Sequence, residues 1–113
     1  MKVTVVIPTY NRPASLKACL IALQKQTFDK PWDIVVVDDG SKTTLNPIIE
    51  ALDAKPNITL IKQDNSGPAT ARNKGAAVAE GKYIVFLDDD CEPRTDWLEK
   101  LLNHARSGVM IGG

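Results

Sequence analysis

The chain has 113 residues, 14 basic and 14 acidic side chains, zero net charge and 43% hydrophobic residues. That is one domain at most, and the balanced charge leaves no basic footprint for a nucleic-acid backbone or an anionic membrane, so a bound anion must be held locally. No apolar run approaches the ~18 residues of a membrane helix, and the short run Val3–Ile7, stopped by Pro8, falls short of a secretory signal, so a cytoplasmic location is the default expectation.

Along the chain, β-branched runs alternate with stretches of helical spacing. Val3–Ile7 predicts a first strand, and Leu16, Cys19, Leu20 and Leu23, at i, i+3, i+4 and i+7, predict an amphipathic helix behind it. Ile34–Val37 predicts the second strand, and Leu45, Ile48, Ile49 and Leu52 repeat the helical spacing. Ile58–Ile61 predicts the third strand. The helix from Pro68 to about Ala79 follows, with Ser66 or Gly67 as its cap and Gly81 as its stop. Its many alanines predict a close approach to something bulky. Tyr83–Leu87 predicts the fourth strand, Leu98, Leu101, Leu102 and Ala105 a last helix, and Val109–Gly113 the start of a fifth strand. Near-continuous apolar strands are expected to be covered on both faces and paired in parallel. The fold class is therefore α/β, a Rossmann-like open parallel sheet in the order 3-2-1-4 with helices on both faces.

The polar clusters leave the carboxyl ends of strands: Pro8-Thr9-Tyr10-Asn11-Arg12 after the first, Asp38-Asp39-Gly40-Ser41 after the second, Asp88-Asp89-Asp90 after the fourth. In open α/β sheets that edge binds ligands, at the crevice where strand order reverses, here between strands one and four. Loops that are merely polar would not gather five aspartates at two such exits. Three adjacent carboxylates repel unless a cation relieves them. Their oxygens suit Mg²⁺ or Mn²⁺ rather than zinc. Two or three carboxylates leave coordination positions for substrate phosphates, which implies a diphosphate.

Asp38 and Asp39 offer acceptors for a base or ribose, with Ser41 as a helix cap. Asn65-Ser66-Gly67-Pro68 opens a helix whose N–H groups attract anions, and Arg72 on its first turns suits a phosphate or the aspartate cluster. His104, the one histidine, lies near a helix C-terminus and reads as structural. Cys19 falls on an apolar stripe, and Cys91 follows three acids that oppose a thiolate, so both read as free, unreactive thiols. Trp32 and Trp97 have no aromatic neighbours that would make a stacking platform.

Taken together, Pro8-Thr9-Tyr10-Asn11-Arg12, Val36-Val37-Asp38-Asp39-Gly40-Ser41, Asn65-x-Gly67 with Ala71-Arg72-Asn73-x-Gly75, and Phe86-Leu87-Asp88-Asp89-Asp90 resemble the family 2 glycosyltransferases of GT-A fold, in order and spacing, over essentially the whole chain. The resemblance implies that residues 1–113 are the half that binds a nucleotide-diphosphate sugar, commonly a UDP-sugar. In that reading Pro8, Thr9, Tyr10 and Asp39 hold the base, Arg12 lies beside it and Arg72 sits near base and diphosphate. Asp89 contacts the ribose, and Asp90, with Asp88 nearby, places Mn²⁺ or Mg²⁺ on the diphosphate, the DxD motif of such enzymes.

The resemblance further implies transfer with inversion to an acceptor hydroxyl. The general base and the acceptor region lie roughly a hundred residues beyond the metal motif in that family, so these residues by themselves are expected to be inactive. An uncovered surface is expected to favour self-association, and the expected location is cytoplasmic, with a membrane-peripheral one for the parent as the alternative. Two other functions fit parts of the pattern. A DxD-type phosphatase-like hydrolase places its acids after the first strand, with Thr or Val where this chain has Glu92; a phosphoacceptor receiver also needs its acids there. A noncatalytic nucleotide-binding module is the other alternative.

Overall fold

The computed structural model describes residues 2–53 and 55–106. Four parallel strands, β1 (Val3–Thr9), β2 (Trp32–Asp38), β3 (Asn57–Lys62) and β4 (Tyr83–Phe86), form one sheet in the order β3-β2-β1-β4, as predicted. The register sets Val3 beside Trp32 and Tyr83 and ends with Thr9 beside Asp38. The helices are α1 (Pro13–Gln24), α2 (Asn46–Glu50), α3 (Pro68–Val78) and α4 (Trp97–Arg106).

Alternation along the strands divides the core in two. Val3, Val5, Ile7, Ile34, Val36, Val85 and Leu87 face Leu16, Cys19, Leu20 and Leu23 of α1, Leu98 and Leu102 of α4, and Leu45 just before α2. Val6, Val35 and Val37 face Ala71 of α3, with Ile61, Ile84 and Phe86 at the margins. Each fully buried leucine on α1 contributes roughly 1.5–3 kcal/mol of transfer free energy. The end of α1 also fastens α4: the Thr27 N–H donates to Thr95 O at 2.8 Å, and Gln26 accepts from the Leu98 N–H at 3.0 Å and donates to Arg94 O at 2.6 Å.

Several expectations need correction. Pro8 does not stop the first strand. Even-numbered residues of β1 turn their backbone polar groups toward β4, as Val6 O does in accepting from the Leu87 N–H. Pro8 falls beyond the last β1–β4 pair, Val6 with Phe86, so its missing N–H costs no ladder bond. The second helix is one short turn and a half, because Leu45 is already its cap and Pro47 occupies its first turn. Ser41 is not its cap; that hydroxyl accepts from the Asn11 N–H.

Double coverage holds for β1 and β2, whereas exposed Asn57 and Thr59, on one face of β3, leave that side open along most of the strand. Gly67, at φ +97°, caps α3, and the helix ends at Ala79, which turns to extended backbone before Gly81 is reached. The bulky neighbour of the alanine-rich helix is the sheet itself: a Cβ on Gly75 would collide with Val6 Cγ1 and come within 3.1 Å of Val37 Cγ2. The expected fifth strand at Val109–Gly113 lies outside the described residues, as does the side chain of His104.

Candidate functional site: a crevice at the carboxyl edge of the sheet

The loops after β1, β2 and β4 and the start of α3 converge on a cavity of about 510 Å³ lined by Pro8, Thr9, Tyr10, Arg12, Asp39, Asn65, Gly67, Pro68, Ala71, Arg72, Asp88, Asp89 and Asp90. The nucleotide- and metal-site residues that the resemblance implies are all in this set, whose size falls in the range of small-ligand sites; Asp38, read from the sequence as a further acceptor for base or ribose, is not among them and instead accepts from the Ser41 N–H. A larger hollow, about 840 Å³, lies around Lys2, Trp32, Asp33 and Pro56 at the opposite, amino-terminal end of the strands and gathers none of the motif residues.

The three consecutive aspartates have different surroundings. The Cys91 N–H donates to Asp88 O at 3.1 Å, folding the segment back on itself. Asp89 is thereby turned inward: it is 6% exposed, accepts from Thr9 Oγ1 at 2.7 Å and meets Arg12 Nη1 at 3.3 Å. Asp88 and Asp90 stay exposed. Arg12 also reaches Asp90 at 3.8 Å, so the guanidinium that meets the aspartate cluster is Arg12. Among the described residues Arg72 pairs with no carboxylate, which leaves its charge available to the crevice it lines.

Ligand atoms of Asp88, Asp90 and Cys91 lie within 4.8 Å of one another. Two exposed carboxylates on one turn fit a hard divalent cation that retains water or substrate oxygens. Burial, then the charges of Asp90 and Asp88, push the Cys91 thiol up, which keeps it protonated and a poor ligand. Cys19 is pushed up to about 12 by burial and by neighbouring groups, Cys91 and Asp89 foremost. Both cysteines are free.

Asp39 is buried, yet its carboxyl group titrates below its ordinary value: burial pushes it up, and the Gln63 amide and the Ser66 and Gly67 N–H groups more than offset that. Its Oδ1 accepts from Gln63 Nε2 at 2.7 Å and Ser66 N at 2.7 Å, and its Oδ2 from Gly67 N at 3.0 Å and Asn65 Nδ2 at 3.3 Å. Those four donors match a carboxylate's capacity. The side chain predicted as an acceptor for the base thus spends that capacity on tying the loop before α3 to the end of β2.

A second tie joins the loops after β1 and β2. Asn11, at φ +52°, donates its N–H to Ser41 Oγ at 2.8 Å and accepts from the Lys42 N–H at 2.8 Å, while Asp38 Oδ1 accepts from the Ser41 N–H at 2.8 Å. This sets Tyr10 and Arg12 on the rim. Sequence reasoning missed Gln63 and gave Asn11 no role. The register that sets Asp38 beside Lys62 is the signal that could have found Gln63, since it brings the next residue of each strand together.

Comparison with known proteins agrees with this geometry. The chain is 37% identical to glycosyltransferase AglE of Haloferax volcanii over 98% of its own length and 38% of AglE. It is 35% identical to hyaluronan synthase of Pasteurella multocida over 84% of its length and 10% of that protein. Among solved structures, S. aureus TarS 1-349 in complex with UDP-GlcNAc superimposes with a TM-score of 0.85 at 33% identity, covering 95% of this chain and 32% of that one. The mannosyltransferase PcManGT of Pyrobaculum calidifontis, in complex with GDP-Man and Mn²⁺, gives 0.79 at 27% identity, covering 88% and 31%. The chain thus spans well under half the length of these relatives. The model of glycosyl transferase family 2 matches residues 4–112, and the chain belongs to that family.

Proposed function

We propose that residues 1–113 form the donor-binding half of a glycosyltransferase that moves a sugar from a nucleotide-diphosphate sugar, a UDP-sugar in the first instance, to an acceptor hydroxyl with inversion. The observation that carries this is the crevice itself. One wall presents the exposed carboxylates of Asp88 and Asp90, the other presents Arg72, which has no ionic partner among the described residues. A ligand that satisfies both walls carries a cation and negative charge together, as a metal-bound diphosphate does.

In this reading Pro8, Thr9, Tyr10 and Asp39 shape the end that takes the base, and Asp89, fixed by Thr9 and Arg12, faces the ribose. Arg72 and the N-terminus of α3 attract the diphosphate. Asp88 and Asp90 would hold Mn²⁺ or Mg²⁺, which when bound offsets charge on the departing nucleoside diphosphate. The general base and acceptor surface are assigned to a part of the parent outside these residues, so the 113-residue chain binds donor without appreciable transfer. Orientation of the attacking group alone can account for about 7–11 kcal/mol of a barrier.

The test is calorimetric titration of the chain with UDP and GDP, with Mn²⁺ and with chelator. Tighter binding of UDP with metal, abolished as a metal effect by Asp90→Ala, is the expected result. Equal affinity with metal and chelator in the unmutated chain would remove the assignment. If UDP and GDP bind and no longer chain transfers sugar, the noncatalytic module becomes the better reading.

A further inference from the structure

We propose that Gln63, which lies outside the crevice, is a positioning residue for it: its amide clamps Asp39 so that Asp39 holds the entry to α3, and with it Arg72, in place. The inference rests on the nucleotide reading above. Gln63 is half-buried on the far side of Asp39, in a separate surface hollow with Gly40, Ser41, Lys62 and Lys74, and does not line the crevice. It is fixed at both ends: its N–H donates to Asp38 O at 2.9 Å and its side chain to Asp39 Oδ1 at 2.7 Å.

On that same oxygen the Ser66 N–H arrives at 2.7 Å, and the Gly67 N–H reaches Oδ2 at 3.0 Å. Gly67 is the cap of α3, its carbonyl accepting from the Ala71 N–H at 3.1 Å, and Arg72 is the next residue along. A continuous run of hydrogen bonds therefore leads from Gln63 through Asp39 and the capping residue to the helix that carries Arg72. Without the amide, Asp39 loses one of the two donors on Oδ1 and becomes freer to rotate away from Ser66. The α3 entry then loses its fixed anchor. The effect reaches Arg72 and the α3 N-terminus, which in the proposed reading meet the diphosphate common to UDP and GDP, so both nucleotides should lose affinity even though Asp39 also borders the base.

The experiment measures affinity for UDP and for GDP, each with Mn²⁺, at a temperature where every variant is fully folded. Gln63→Met, close in length and without a donor, is expected to weaken both, by about five- to tenfold, the size of one ordinary lost hydrogen bond. Gln24→Met is the control, because Gln24 makes a comparable 3.0 Å bond to Asp53 O elsewhere on the molecule. It should lower stability slightly and leave affinity unchanged. Unaltered affinity in Gln63→Met, an equal loss in Gln24→Met, or a loss confined to one nucleotide would overturn the positioning role alone. Failure of the unmutated chain to bind either nucleotide would overturn the nucleotide reading and this inference with it.

Discussion

Replacing Gly75 by alanine opposes two effects of known sign. Alanine favours a helix interior over glycine by about 0.8–1.0 kcal/mol, which alone would make Gly75→Ala stabilising. Against this, the added methyl would collide with Val6 Cγ1 and come within 3.1 Å of Val37 Cγ2, where both valines are fully buried in the central strands. Forcing a methyl into such a packed site costs roughly 1–3 kcal/mol. The steric term wins, with a net loss of about 1 kcal/mol and a fall in melting temperature of about 4 °C.

A double-mutant cycle separates the two effects. Val6→Ala alone should cost on the order of 2 kcal/mol through lost burial. Combined with Gly75→Ala, the new methyl occupies space the valine has vacated, so the pair should be more stable than the sum of the singles by about 1 kcal/mol. Urea unfolding followed by far-UV circular dichroism reads all four corners. Gly75→Ala at least as stable as the parent, with strict additivity in the cycle, would refute the close approach of α3 to β1.

Further outcomes are expected elsewhere. Thr9→Val keeps the shape but leaves buried Asp89 Oδ2 without the hydroxyl that donates at 2.7 Å, and should lower stability by about 1–3 kcal/mol in urea unfolding. Asn11→Gly should be more stable than Asn11→Ala by about 1–2 kcal/mol, since both lose the acceptor for Lys42 but only alanine is penalised at φ +52°. Because the folded pKa of Asp39 is lowered from 3.8, its charged form contributes stability that is present above the unfolded value and lost as pH falls through the folded one. The stability gap between the parent and Asp39→Asn should therefore be constant near neutrality and narrow on acidification below pH 4, measured by urea midpoints. With the Cys19 thiol pushed up to about 12, a thiol reagent at pH 8 should leave Cys19 unmodified in the folded chain and modify it once urea is added, as read by mass spectrometry.

Strand order and core were legible because their signals are redundant. The apolar runs, the spacing of Leu16, Cys19, Leu20 and Leu23, and the placement of acids at strand exits all point to one parallel sheet. The extent of α2 was less so, since apolar residues at helical spacing do not reveal that Leu45 is the cap and that the chain leaves the helix after Glu50. Pro8 misled for a topological reason: its harmlessness depends on where β4 ends, which no local pattern records. The composition of the crevice was legible from the motifs. Its internal bonding was not, because Gln63 and Asn65 approach Asp39 only after β2 and β3 have paired in register.

The charge balance of the whole chain hides a local arrangement that explains why three acids can follow one another. Asp89 is the buried member, held by the Thr9 hydroxyl at the end of the neighbouring strand and by the Arg12 guanidinium in the loop after it. Arg12 is itself largely exposed, so its attraction is screened, and the short bond from Thr9 is the firmer restraint. Fixing Asp89 inward turns the flanking carboxylates outward, where water or a cation can solvate them at little cost. The same loop thus anchors one acid and frees two. Arg72 completes the arrangement from the opposite face of the sheet, because close packing of Ala71 and Gly75 on Val6, Val35 and Val37 brings the backbone of α3 near enough for its first turn to border the crevice. Helix packing on one side and hydrogen bonding on the other therefore set the exposed carboxylates and Arg72 around one crevice, and that juxtaposition is what the proposed metal-bound diphosphate would use.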